Sequence, residues 1–229
     1  AEALVAGGLP VLEVTLRTDA ALDVIREMAK VEGGRVGAGT LLTKADVEAA
    51  VAAGATFGVS PGATDAILTA CEEAGLPLLP GAATSSEVMR LLERGYTVQK
   101  FFPAEANGGA PALKAIGAPL PQVKFCPTGG VSLKNANDYL SLSNTLCAGG
   151  SWVAPANLVA AGDWKAIEEL AQAAGLEMPD TGPERAPDTI TPALLEALSK
   201  ANHFFKEQLR SHEGSTEVIA YLKTAAHTG

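Results

Sequence analysis

The segment "PVLEVTLRTDAALDVIREMAKV" (residues 10–31) decides how the rest of the chain is read. Its first seven residues have the make-up of a short buried strand, apart from the charge at Glu13. Residues 19–31 then show helical periodicity after a polar turn. Strand, turn and helix form one unit, and the unit recurs. Further strands are predicted at "RVGAG" (35–39), "TFGVS" (56–60), "PLLPG" (77–81), "VQKFF" (98–102), "VKFCP" (123–127) and "TLCAG" (145–149). Each precedes a helical stretch such as "KADVEAAVAAG" (44–54). Near-constant spacing of this kind predicts parallel βαβ units, which right-handed crossovers arrange as a doubly wound sheet or a closed (β/α)8 barrel.

The placement of polar residues favours the barrel. Glu13, Arg17, Thr40, Ser60, Lys100, Thr128 and Ser151 all fall within or just past the C-terminal part of a strand. In a barrel those ends converge on one mouth, where this architecture does its chemistry. A Rossmann sheet would carry a GxGxxG turn after its first strand, and the chain has none.

Composition narrows the function classes. The 229 residues are 47% hydrophobic and 19% charged, enough apolar material to bury a sizeable core. Lys plus Arg is 17 against 26 for Asp plus Glu, so the formal charge of −9 disfavours nucleic acid as a partner. An anionic small molecule would have to be held by a few fixed donors. No apolar run is long enough to span a membrane, and the absence of a signal-like opening argues against secretion. The cysteines (Cys71, Cys126 and Cys147) are odd in number and lack metal spacing, which suits reduced core residues in the cytoplasm.

Lys100 is the most informative single residue. It stands in an apolar strand beside Phe101, Phe102 and Pro103, yet a buried ammonium is costly. Two readings stand at this point: a packed stem whose head reaches water, or an amine held in a dry place for use. A dry pocket leaves more free amine near neutrality, which a Schiff-base nucleophile requires. Imine chemistry also needs a proton carrier. Glu13 can face the same barrel interior, either as a structural ion-pair partner or as a general acid–base. Arg17, four residues on, is a surface charge or a bidentate clamp for a carboxylate.

"CPTGGVS" (126–132) and "CAGGSW" (147–152) put Gly-Gly turns after the last two parallel strands. One such turn alone is an ordinary βα connection. Two in adjacent units fit the phosphate site that barrels often build there, with Ser151 as a further donor. No metal is expected: the histidines, His203, His212 and His227, all lie in the tail, without zinc spacing.

The segments "LEVTLRT" (12–18), "VGAGTLL" (36–42), "SPGATD" (60–65), "KFFPAEANGG" (100–109), "FCPTGGVS" (125–132) and "GGSWVAP" (149–155) resemble the signature segments of the 2-keto-3-deoxy-6-phosphogluconate (KDPG) and 4-hydroxy-2-oxoglutarate aldolase family. The resemblance runs from Ala1 to about Ala174 and implies a class I aldolase on a (β/α)8 TIM barrel, without cofactor. It implies Lys100 as the Schiff-base lysine and Glu13 as the acid–base residue. Arg17 and Thr40 map to the pyruvyl carboxylate, Pro61 and Phe102 to the pocket lining, and Gly129, Gly130 and Ser151 to the phosphate site. Thr128 maps to a position linked to stereochemical preference. The implied partners are a phosphorylated 2-keto acid and pyruvate, the implied assembly a cytoplasmic homotrimer. Two alternatives stand beside this: an aldolase for the galactonate epimer, and a phosphate-binding barrel without turnover.

Two departures from the family pattern set further expectations. "AEALVAGG" reads as the end of a helix, as though a strand and most of a helix were missing before it. The expected partition is an incomplete barrel over 1–175, a proline-rich linker over 176–191 and a helical tail over 192–229. The tail has a faint likeness to a helical stretch of bacterial primases, without their catalytic carboxylates. Residues 192–223 are expected to be helical, with Leu194, Leu195, Leu198, Phe205 and Leu209 as a docking stripe, and to be dispensable for imine chemistry. A seven-stranded barrel would then close on seven, stay open beneath the tail helices, or borrow a strand from another subunit.

Overall fold

The computed structural model describes residues 1–176 and 218–223. A short helix α1 (Glu2–Ala6) leads into β1 (Val11–Thr15) and α2 (Ala21–Met28), followed by β2 (Arg35–Gly39), α3 (Lys44–Ala52), β3 (Phe57–Val59) and α4 (Asp65–Ala74). Next come β4 (Leu78–Leu79), β5 (Gly81–Ala82), α5 (Ser85–Glu93), β6 (Val98–Phe101), α6 (Gly109–Gly117), β7 (Lys124–Pro127) and α7 (Ala136–Leu140). The helical series ends with α8 (Ala156–Ala161) and α9 (Trp164–Leu176), which follow β8 (Cys147–Gly150), and the last strand is β9 (Val218–Lys223).

Local chemistry fixes where helices begin. Thr43 and Thr84 cap α3 and α5 in reciprocal boxes with Asp46 and Glu87, and the Thr64 hydroxyl caps α4. Such caps satisfy backbone donors that a first helical turn leaves over.

The strands form a barrel, as expected. One sheet has the order β4-β3-β2-β1-β9-β8, the other β5-β6-β7. Pro80 separates β4 from β5, and having no N–H it interrupts what is otherwise one strand. Parallel bridges Phe125↔Thr145 and Thr128↔Gly149 join β7 to β8 and complete the ring. Side chains alternate: Val11, Phe57, Val59, Cys126 and Cys147 pack together inside the barrel, while a larger core including Leu12, Val14, Val36 and Phe125 packs against the helices.

One expectation is corrected. Residues 218–223 form a strand, not a helix, and none of the three anticipated forms occurs. β9 lies antiparallel between β1 and β8, pairing Leu12↔Ala220, Glu13↔Ile219 and Val14↔Val218 on one side, and Cys147↔Lys223 through Gly150↔Ala220 on the other. Two edges of unpaired N–H and C=O groups outweigh the helical tendency of a segment rich in Val, Ile and Tyr, which are strand formers. The anticipated linker, the apolar stripe and the primase-like stretch before residue 218 lie outside the described residues. Among the described residues no helix is long and apolar enough to cross a membrane.

Candidate active site

Lys100 projects from β6 between Gly81 of β5 and Cys126 of β7, its register partners. It is 5% exposed, and its Nζ stands 3.8 Å from Oε1 of Glu13, itself 1% exposed. The same Nζ lies 4.8 Å from the centroid of the Phe102 ring. A carboxylate, an amine and an aromatic face thus converge at the mouth end of the barrel. At 3.8 Å the pair is an ion-pair contact wider than a hydrogen bond, so both groups can reach one shared substrate atom.

Glycines clear the space these groups occupy. A Cβ on Gly39 would stand 1.8 Å from Oε1 of Glu13, and one on Gly37 would stand 2.2 Å from the Phe57 ring. A Cβ on Gly81 would meet the Pro61 carbonyl oxygen at 2.2 Å, so the Pro61 loop closes directly over the strand beside Lys100. Sequence reading missed these three glycines. The signal for the first pair was the alternation in "RVGAG", where residues two apart share a strand face.

Thr40 follows Gly39 at φ 61°, the one non-glycine residue with positive φ among those described. A β-branched residue there is strained, and strain of this kind concentrates at functional sites. Arg17 is exposed on the turn after β1, at the rim and not in the buried cluster. Ser60 is fully buried at the end of β3.

The two Gly-Gly turns meet. The Thr128↔Gly149 bridge sets them side by side, with Ser151 half-buried next to them. Gly129 and Gly130 both adopt left-handed backbone, at φ 95° and 80°. The carbonyls of Thr128, Gly129 and Gly130 accept from Ala104 N (2.8 Å), Glu105 N (3.1 Å) and Asn135 Nδ2 (3.0 Å) respectively. Among the described residues the N–H groups of Gly130 and Val131 have no acceptor, while the bridge turns that of Gly129 toward Gly149. A turn with its carbonyls tied back and N–H groups open suits an anion.

The cysteines are buried and free. Burial pushes the Cys71 thiol up to about 11 and raises Cys126 well above the ordinary thiol range. Neither is suited to act as a thiolate near neutrality. All three histidines lie outside the described residues.

A βα barrel with a buried lysine–carboxylate pair at its mouth is the architecture of an imine-forming aldolase. The family described as "KDPG and KHG aldolase" matches residues 1–170, and the chain belongs to it. It is 54% identical over 175 residues to the 2-dehydro-3-deoxy-phosphogluconate aldolase of Pseudoalteromonas atlantica, covering 76% of this chain and 81% of that one. The KDPG aldolase of Legionella pneumophila, with pyruvate captured as a covalent carbinolamine, superposes at TM-score 0.72 with 47% identity, over 75% of this chain and 84% of that one. The Zymomonas mobilis ZM4 enzyme with 3-phosphoglycerate does so at TM-score 0.71 with 48% identity, over 75% and 81%.

Proposed function

We propose that the protein is a class I aldolase that cleaves 2-keto-3-deoxy-6-phosphogluconate to pyruvate and glyceraldehyde 3-phosphate, with Lys100 as the Schiff-base lysine. The observation that carries this reading is the Lys100 amine, buried and 3.8 Å from the Glu13 carboxylate. Lys100 attacks the C2 ketone, and Glu13 moves the protons that turn the carbinolamine into an imine with loss of water. Glu13 then takes the C4 hydroxyl proton as the C3–C4 bond breaks. The bond's electrons pass through the protonated imine, leaving an enamine on Lys100 and releasing the aldehyde. Protonation at C3 and hydrolysis by water return the free amine and pyruvate.

Arg17 and Thr40 bind the pyruvyl carboxylate, while Pro61 and Phe102 line the pocket. Gly129, Gly130 and Ser151 take the phosphate; the open N–H groups of Gly130 and Val131 support this, as does the phosphorylated ligand of the Zymomonas relative. Thr128, at the same turn, favours the gluconate over the galactonate series. The same site accepts 4-hydroxy-2-oxoglutarate, in keeping with the family description. We further propose a homotrimer in the cytoplasm, an environment that the buried free thiols suit.

Borohydride added with pyruvate should leave a stable adduct on Lys100, absent in Lys100→Ala. Glu13→Gln should slow turnover by about 10²–10⁴-fold. An adduct on another lysine, or none in folded protein, sinks the assignment.

A further inference from the structure

Next to the open N–H groups of Gly130 and Val131 lies a carboxylate that the aldolase reaction does not use. The Glu105 stem lies over Gly130, where a Cβ would stand 2.6 Å from its Cγ and 2.7 Å from its Cβ. Glu105 thus needs glycine beneath it, and its backbone is fixed there by the N–H donated to the Gly129 carbonyl. Its Oε1 accepts from the hydroxyl of Tyr139, a fully buried residue of α7. A Cβ on Gly109 would lie 3.4 Å from that oxygen and 3.6 Å from the Tyr139 hydroxyl, so the contact sits in a narrow slot.

Glu105 is exposed, and nothing but this hydroxyl holds its carboxylate among the described residues. Released, an anion on a flexible stem beside open N–H groups would bond to them itself. It would then occupy the place of a phosphate and repel one electrostatically. We infer that Tyr139 is a positioning residue that holds the Glu105 carboxylate off the Gly129–Gly130 turn, keeping an internal competitor away from the phosphate. The inference rests on the phosphate reading of that turn. It assigns Tyr139 no contact with substrate.

The test is a set of Tyr139→Phe, Glu105→Gln and the double variant, with two readouts. Binding of inorganic phosphate is measured by calorimetry, and imine formation by the pyruvate–borohydride adduct on Lys100. Tyr139→Phe should weaken phosphate binding about 10-fold, the size expected for loss of a charge-assisted hydrogen bond, and should leave the adduct intact. Glu105→Gln in the Tyr139→Phe background should bring phosphate affinity back to within about twofold of the parent, because an amide carries no competing charge. A purely structural role for Tyr139 gives no such rescue. Unchanged phosphate affinity in Tyr139→Phe, or a double variant as weak as the single, overturns the inference. So does a parent protein that binds no phosphate yet forms the adduct, whereas a parent that binds phosphate without forming the adduct overturns the aldolase reading alone.

Discussion

The Glu13 carboxylate occupies the space that a side chain on Gly39 would fill, with a Cβ there only 1.8 Å from its Oε1. The two residues are on neighbouring parallel strands, where Glu13 pairs with Gly37 and Thr15 with Gly39. Gly39→Ala must therefore displace the carboxylate from its 3.8 Å position beside Lys100. A shift of about 1 Å in a proton carrier costs on the order of 10²-fold in rate. Steady-state turnover should fall by about that factor while far-ultraviolet circular dichroism stays unchanged. Near-parental turnover in Gly39→Ala would remove Glu13 from the proton-transfer role.

Thr40 is held at φ 61° against its steric preference. Glycine adopts that backbone freely, so Thr40→Gly should raise thermal stability by about 1 kcal/mol net of glycine's added unfolded-state entropy. The same change removes the hydroxyl assigned to the pyruvyl carboxylate, and the pyruvate concentration for half-maximal trapping should rise several-fold. Stability and affinity moving together in either direction would contradict this.

Glu87 gives acid sensitivity to one helix end. Its carboxylate accepts from the N–H of Ala83, the main cause of its lowered pKa, and from the N–H and hydroxyl of Thr84, each at 2.9 Å, while partial burial opposes the shift. A carboxyl with a folded-state pKa below its unfolded value adds stability above the unfolded value of about 4.5, and that share is lost as pH falls through the folded value. Glu87→Gln keeps an acceptor in the box but loses the charge, and should cost about 0.3–1 kcal/mol at pH 7 and much less at pH 3. Urea titrations of both proteins at the two pH values measure the difference; equal costs at both would show that the charge is idle.

Ala220 pairs with Leu12 on one side and Gly150 on the other. Proline there removes an N–H from the ladder and should destabilise the barrel by about 1–3 kcal/mol, read from urea titration. Truncation after residue 178, where the sequence leads us to expect imine chemistry to persist, should lower the melting temperature by exposing the edges of β1 and β8. A truncated chain as stable as the parent would show that β9 contributes nothing.

Charges in apolar strands stand out in a sequence, so the convergence of Glu13 and Lys100 was legible before any coordinates. So were the seven parallel strands, because apolar runs and intervening helical periods recur along the chain. Pro80 splits the fourth, which the sequence predicts as one strand over 77–81. The roles of Gly37, Gly39 and Gly81 were not legible, since a glycine shows its purpose only once its neighbour is known. Tyr139 was silent for the same reason: its partner, Glu105, is 34 positions away. β9 was missed because "VIAYLK" satisfies strand and helix patterns alike, and only the open edges of β1 and β8 select between them.

Glu13 and Ile219 are paired neighbours 206 positions apart in the chain. During synthesis, β1 emerges before every other strand of the barrel and must wait for β9 before its outer edge is covered. The barrel thus acquires its last stave only after the lysine-bearing strand β6 and the glycine-rich turn behind β7 have already been made. Pairing over so long a separation is slow. In that interval the nascent chain presents two free strand edges to its neighbours, so its yield in the cell should depend on synthesis rate and chaperone supply more steeply than its final stability suggests.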